Sequence, residues 1–454
     1  MIRDRIASAL RSSKADYTEI RLEETETTRV VFRGPDLETA DVLMDRGGIV
    51  RCLVRGGGWG IASFNDLSDL EHRVQQAYEG ARAIEAEPID LAPIPVSEDE
   101  ISVSLENDFR RVDTARKKAL AEEYNEALLT FDPRVVDTNT SYVDRFKRVV
   151  FANSEGTTIS EERPMINVAF SAVAREGNNV QRAFEAVSKV AGFDAVTGHD
   201  DLVRSVAQRA VDLLSAPPVE GGRYTVVCNP RMAGVFAHEA FGHLSEADFV
   251  YDNPQAQEMM VLGRRFGGDI LTIADDGSIP GLRGTHRYDD EGTPTGRTDL
   301  ISEGVLVGRL HSRQTAARMG EEPTGNARAT SYRHEPIVRM TNTFIEGGDT
   351  GFEEMIADVD RGIYACDAFG GQTALENFSF TAAYGYMIRN GRIAELVRDV
   401  VLSGNLFVTL KHIDAVGDDF QWAEWGRCGK GQGGLAVSMG APHVRIQDVL
   451  VGGE

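Results

Sequence analysis

Hydrophobic positions change period along this chain, and each change marks an expected element. Residues 1–12 have helical amphipathic spacing. Residues 17–33 look extended, with Thr25, Thr27, Thr28, Val30, Val31 and Phe32 supplying β-branched and aromatic bulk. Residues 47–64 read as a hairpin that turns at Gly56-Gly57-Gly58. Asp66 is placed to cap a helix through residue 86. Residues 87–100, with four prolines and an acidic end, read as a linker or exposed loop. A second helix covers 113–130. Strand runs follow at 134–143, 146–152, 157–173 and 180–190, and Asn153-Ser154-Glu155-Gly156 is the turn of an antiparallel meander.

Asp200 opens a helix to about Leu214, and Pro217-Pro218 closes the first half. Tyr224–Cys228 reads as a buried strand, with a helix beginning near Pro230. From about 265 the chain is rich in Gly, Asp and Thr, with short strands and one helix near 312–319. These readings predict an α+β protein. An N-terminal domain over 1–220 mixes sheet and helices, and a β-rich domain over 221–454 carries the Pro230 helix. At 454 residues the chain exceeds one ordinary core, which fits two domains.

Composition narrows the function. The chain is 42% hydrophobic and 26% charged, as folded soluble proteins are. A net charge of −23 opposes binding to phosphate backbones and anionic lipid, so neither nucleic acid nor membrane is an expected partner. No run reaches the roughly 20 apolar residues of a membrane span. The N-terminus lacks the apolar core of a secretory signal. Cys52, Cys228, Cys366 and Cys428 lie far apart and form no disulfide framework. The expected location is the cytoplasm, with reduced thiols.

The chemistry concentrates in His238-Glu239-Ala240-Phe241-Gly242-His243. Imidazole is a common zinc ligand, and a Glu beside the first ligand is where a metallopeptidase keeps its general base. The familiar helix has its histidines at i and i+4. Here the second is at i+5, so an ideal α-helix would set the rings about 140° apart. One residue looped out as a π-bulge would bring them to one face, and Gly242 would ease that distortion. The bland alternative is a helix with one solvated and one core histidine.

A catalytic zinc site needs a third protein ligand. Glu246, Asp248 and Cys428 are candidates. Cys428 lies in a glycine-rich loop whose backbone could approach an ion, with Lys430 and Arg427 near enough in sequence to favour the thiolate. An inert thiol is the plain alternative for Cys428. Solvated helix-end residues or hydrogen-bond partners of the histidines are the plain alternatives for Glu246 and Asp248. Gly429, Gly431 and Gly434 form a formal G-x-G-x-x-G, but no apolar strand leads into it and no helix follows, so a dinucleotide site is discounted.

Taken together, these segments resemble the TldD/PmbA family of zinc metallopeptidases. The resemblance rests on the hexapeptide with Glu246 and Asp248, on Asp290–Thr295 leading to Leu300–Leu306, on Thr324–Arg328, and on Arg339–Thr343. Cys428-Gly429-Lys430, Trp59–Ala62 and Asn153–Gly156 extend it over nearly the whole chain. Leu244-Ser245 departs from the glycine-bearing pair expected after the second His. The family has a branch that keeps the metal motif and a PmbA (TldE)-like branch that has lost it; this chain looks like the first. The resemblance implies His238, His243 and Cys428 as zinc ligands and Glu239 as catalytic base. It also implies a dimer, with itself or with a metal-free PmbA/TldE-like subunit, and a groove for unfolded or short peptides. Tyr384, Tyr386, His412 and Arg339 are candidates to stabilise the oxyanion. Two rival readings remain: a metal-dependent hydrolase of non-peptide amides, and a non-catalytic module for peptide binding or maturation.

Overall fold

The computed structural model describes residues 2–423 and 425–452. The fold is α+β, as expected. Helix α1 (Ile2–Ser12) precedes a long antiparallel meander of β1 (Tyr17–Arg33), β2 (Asp36–Leu53) and β3 (Trp59–Phe64). Helix α2 (Leu70–Arg82) covers these strands. Its N-cap is Asp69, which accepts from His72 N at 3.0 Å. Asp66 instead turns the preceding loop by accepting from Ser68 N at 2.8 Å, so the helix starts later than expected. It also ends at Arg82 rather than 86.

Strand β4 (Glu98–Ile101) lies in the stretch expected to be irregular. Its exposed acidic residues hide a short edge strand that pairs in parallel with a later one. Helix α3 (Thr114–Leu129) then leads into β5 (Val135–Asn153), β6 (Thr158–Glu176) and β7 (Asn179–Lys189), and α4 (Asp200–Ser215) closes the half. The two runs expected at 134–143 and 146–152 are one 19-residue strand. β2 likewise begins about ten residues before its expected start. Its first part is largely exposed and pairs with β1 from Asp36 onward, so burial never imprints an apolar face there. The sheet order is β3-β2-β1-β5-β6-β4, with β7 also on β6.

The second half opens with β8 (Gly222–Cys228) and α5 (Pro230–Ala237). β8 lies between Arg361–Ala374 and Val444–Gly452 in a sheet that continues through Val401–Asn405 to Asn377–Arg389. Asn377–Arg389 pairs back with Arg361–Ala374, which closes these strands into a barrel. A separate sheet includes Ile273–Asp276, Asn342–Ile345 and Ser438–Ala441. Helix α5 is wedged between the two systems. Phe236 meets Phe378 and Phe380 of the barrel at ring distances of 5.6 and 5.8 Å. On the other side a Cβ on Gly234 would stand 3.2 Å from Gly440 N.

Buried charges tie the halves together. Asp290 pairs with Arg21 of β1 at 2.9 Å and with Arg163 of β6 at 3.0 Å. Glu291 pairs with Arg51 of β2 at 2.8 Å, and Arg51 also holds Glu19 at 2.6 Å. Among the described residues, no helix is long and apolar enough to cross a membrane.

Candidate metal centre

Asn229 starts α5 by accepting from Met232 N at 2.8 Å, and Pro230 fills the first turn. Eight residues after Pro230, the backbone widens. His238–Gly242 is a π-helix, and His243 N donates to His238 O, the i to i+5 bond that defines it. The extra residue cancels the angular offset that a regular helix would impose. The two rings stand 5.2 Å apart, edge to face. Gly242 has ordinary helical angles (φ −56°, ψ −51°), so the turn does not use glycine's backbone freedom. What it requires is space: a Cβ there would lie 2.0 Å from Met340 Sδ.

Cys428 arrives from a two-stranded hairpin that pairs Arg427–Gly429 with Gly434–Ala436. Gly431 (φ 48°) and Gly433 (φ 91°) take left-handed conformations in its turn, while Gly429 faces open space. The glycines therefore make the turn and do not admit the backbone to an ion. Arg339, buried and without exposure, holds the hairpin by donating to the carbonyls of Cys428 and, at 3.3 Å, Gly433.

One ligand atom from each of His238, His243 and Cys428 lies within 4.8 Å of the others. Cys428 Sγ is 3.7 Å from His243 Nε2. Cys428 and His238 are fully buried. Both ring nitrogens of His238 lack any hydrogen-bond partner among the described residues. A buried imidazole with nothing to bind is costly, because it gave up water for no replacement. A cation at the centre of the three atoms supplies the missing partner, and two imidazoles with a thiolate suit zinc. The residues present thus fit the ion.

The electrostatics agree. Burial pushes His238 well below the usual imidazole range, with His243 and Arg339 adding to it, so the ring stays neutral as a ligand must. Burial would also lower His243. The Cys428 sulfur and the Glu246 carboxylate outweigh it and push that ring up to about 10. A pocket that so raises proton affinity is short of positive charge.

Glu246 is not a member of the cluster. Its Oε2 lies 3.0 Å from His243 Nδ1, which leaves Nε2 facing the sulfur, the arrangement by which carboxylates orient metal-binding histidines. Lys430 Nζ in turn holds Glu246 at 3.0 Å, Asp248 at 2.7 Å and Val338 O at 2.9 Å. Lys430 is thus committed to these acceptors and not to the sulfur, and Asp248 serves Lys430. Cys52, Cys228 and Cys366 are buried core thiols, and burial pushes Cys228 up to about 12.

Glu239 sits 3.9 Å from His243 Nε2. Burial raises its carboxyl above the ordinary range, with His243 opposing and Glu246 adding. It borders a cavity of about 160 Å³ walled by Val235, Phe369, Trp425 and Met439, with Arg231 and Arg427 among the charged groups. None of Tyr384, Tyr386, His412 and Arg339 lines this cavity. Arg427, expected beside the sulfur, lines it instead. Sequence reasoning missed Arg231, although a signal was there: Arg231, Val235 and Glu239 recur every four residues and so share a helix face.

Comparison with known proteins follows this geometry. Family models described as PmbA/TldA metallopeptidase domain 1, central domain and C-terminal domain match residues 18–81, 107–216 and 221–453. A metalloprotease of Synechocystis is 46% identical over 97% of this chain and 96% of its own. A metalloprotease of Methanothermobacter thermautotrophicus is 35% identical over the same shares. A zinc metalloprotease TldD homolog of Saccharolobus solfataricus is 27% identical over 97% of both. Among solved structures, a Thermotoga maritima chain superposes with a TM-score of 0.81 at 22% identity, covering 99% of each chain. TldE from Thermococcus kodakarensis gives 0.79 at 17% identity over the whole of both chains. At these identities the structures share the fold.

Proposed function

This chain belongs to the PmbA/TldD metallopeptidase family, and on that premise we propose that it is a zinc-dependent peptidase acting on unfolded or short polypeptides. His238, His243 and Cys428 hold the ion, and Glu239 is the general base. The observation that carries this reading is the fully buried His238, which has no hydrogen-bond partner among the described residues and sets one ring nitrogen within 4.8 Å of an imidazole nitrogen and a thiol.

When bound, the ion supplies Lewis acidity for the scissile carbonyl and acidifies water at the site. The protein supplies the rest. Glu239, with its raised proton affinity, takes a proton from the attacking water and returns it to the leaving amine. Glu246 and Lys430 keep His243 oriented. Arg339 fixes the Cys428 backbone, a positioning role. Arg231 and Arg427 border the cavity where substrate would lie, and are better placed to meet a developing oxyanion than the residues expected from sequence.

The test is metal analysis of protein purified without chelator, together with digestion of a peptide library read by mass spectrometry. One zinc per chain and cleaved peptides are expected. A metal-free protein, or a zinc protein that cuts no peptide, would defeat the proposal.

The assembly in this proposal is a dimer, with itself or with a metal-free PmbA/TldE-like subunit. Residues 1–220 are assigned a substrate-binding or dimer-groove role, and the cytoplasm is the working compartment. Light scattering checks the assembly: an active monomer rules the dimer out.

A further inference from the structure

The hairpin that brings Cys428 to the histidines has a second cavity beside it, of about 290 Å³. Both halves of the chain line it. β5 and β6 contribute Arg145, Lys147, Glu161, Glu162 and Arg163, and the later loops contribute Arg283, His286, Arg287, Asp290 and Arg328. Leu435 and Ala436 of the hairpin complete the wall. Ala436 pairs in register with Arg427, which lines the cavity beside Glu239, and Arg283 donates to Gly426 O at 2.6 Å. The hairpin therefore borders both spaces.

The charges in this cavity do not balance. Its three carboxylates are engaged: Glu161 with Arg163 at 2.7 Å, Asp290 with Arg21 and Arg163, and Glu162 with Arg148 at 3.3 Å. Lys147 is paired with Glu23 at 2.9 Å. Among the described residues, the guanidinium groups of Arg145, Arg283, Arg287 and Arg328 form no ion pair within 4.0 Å, although Arg287 N donates to Glu161, Arg283 to the carbonyl of Gly426 and Arg328 to those of Met340 and Ala436. The Arg145 side chain makes no hydrogen bond among the described residues, and its Nε is buried, as is the unpartnered Nε of Arg283. In a chain with 71 acidic and 48 basic residues, counter-ions are plentiful, yet none pairs directly with these four guanidinium groups. Arg328 is buried, Arg145 and Arg283 are half-buried and Arg287 is exposed. A partly buried guanidinium without an anion is unfavourable, and its planar fork suits a carboxylate.

His286 distinguishes among anions. It is only 6% exposed, its Nδ1 lies 2.7 Å from Gly284 O, and its Nε2 has no partner. In the neutral ring Nδ1 must donate to that carbonyl, so Nε2 is an acceptor. Burial, with Arg328 and Arg163 close by, keeps the ring neutral. The cavity thus offers unused donors and an unused acceptor. A bare anion answers only the donors. A polypeptide carries both a carboxylate and an N–H.

We propose that this cavity is a substrate subsite for a carboxylate-bearing segment of polypeptide, an Asp or Glu side chain or the C-terminal carboxylate. Arg145 and Arg283 hold the carboxylate, and His286 accepts a peptide N–H. The assignment rests on the peptidase reading, because the shared hairpin links the cavity to Glu239.

The test measures binding apart from cleavage. Zinc-loaded Glu239→Gln protein is titrated, by fluorescence anisotropy, with a labelled glutamate-rich decapeptide and its all-glutamine counterpart, each with a free or an amidated C terminus. The net charge of −23 alone favours the neutral peptide. The subsite predicts the reverse, with the acidic peptide at least about tenfold tighter, as hydrogen bonds to charged groups allow. Adding Arg145→Gln, or separately Arg283→Gln as a second variant, should bring the ratio near one, and Arg145→Lys should restore part of it. Circular dichroism and melting confirm that the variants fold. The amidated arms show whether side chain or terminus is the source. No preference in the intact site, or a preference that survives both substitutions, overturns the subsite. So does inorganic phosphate that binds at the arginines while the acidic peptide does not. An arginine-dependent preference in a protein whose wild type cleaves nothing would sink the peptidase reading and keep the subsite. Cleavage without that preference would do the opposite.

Discussion

The turn around Asp289–Glu291 and the turn around His238–His243 are both buried, and both lie in segments that carry the family resemblance, yet their polar atoms are treated in opposite ways. In the first, each carboxylate meets donors. Asp290 faces Arg21 and Arg163, Glu291 faces Arg51, and Asp289 accepts from the backbone of Glu291, Thr293 and Ala327. In the second, neither ring nitrogen of His238 has a hydrogen-bond partner among the described residues. A satisfied cluster fixes how two sheets meet. An unsatisfied one in the same molecule marks the place where something else is meant to bind.

The sharpest break between the two regions is Glu239→Gln. It should lower peptide cleavage by about 10²–10⁴-fold, the usual share of a general base, while zinc content by mass spectrometry stays at one per chain. Cleavage at the normal rate would mean that Glu239 is not the base.

Next comes Arg51→Ala, which strands Glu19 and Glu291 in the interior. Urea unfolding should show a loss of about 3–5 kcal/mol, with zinc bound normally by the protein that remains folded. Loss of zinc without loss of stability would show that the clusters are not separate.

Gly242→Ala is expected to cost about 1–3 kcal/mol in overpacking, because the new methyl meets Met340. Adding Met340→Ala should recover part of the loss in the same melting assay. A neutral Gly242→Ala would show that the turn has room to spare.

The smallest effect is a pH slope. Burial would raise the Asp290 carboxyl, but Arg21, Arg163 and Lys147 outweigh it and hold it below the usual range. Its contribution is therefore complete well above the unfolded value of about 3.9 and drains away as pH falls below it. The stability gap between wild type and Asp290→Asn should narrow on acidification from pH 6, by no more than about 1.4 kcal/mol per unit. A gap that widened would reverse the sign assigned to this residue.

Much of this was legible in the sequence, unevenly. Helices α3 and α4 lie within a residue of their expected bounds, α4 through its amphipathic periodicity and α3, whose apolar face is weak, through its long run of helix-forming residues. The i+5 spacing required a widened turn if the rings were to meet, and that turn is present. Strand β4 and the start of β2 were not legible, because edge and exposed strands bury no face and so leave no alternation to read. The role of Gly242 was misread: only the fold reveals Met340 beside it. Lys430 and Arg427 were drawn to the sulfur by closeness in sequence, whereas Glu246 and Asp248 claim Lys430 in space. The basic cavity was invisible for the same reason, since β5, β6 and loops more than a hundred residues later build it jointly.

Two members of the cluster are neighbours, but the thiol is 185 residues beyond the second imidazole. A chain leaving the ribosome carries the histidine pair for a long while before the sulfur at position 428 is made. During that interval the nascent protein has at most an incomplete claim on zinc. If this chain is a protease, its site is completed only once the 185 residues between the second imidazole and the thiol have been joined and folded back.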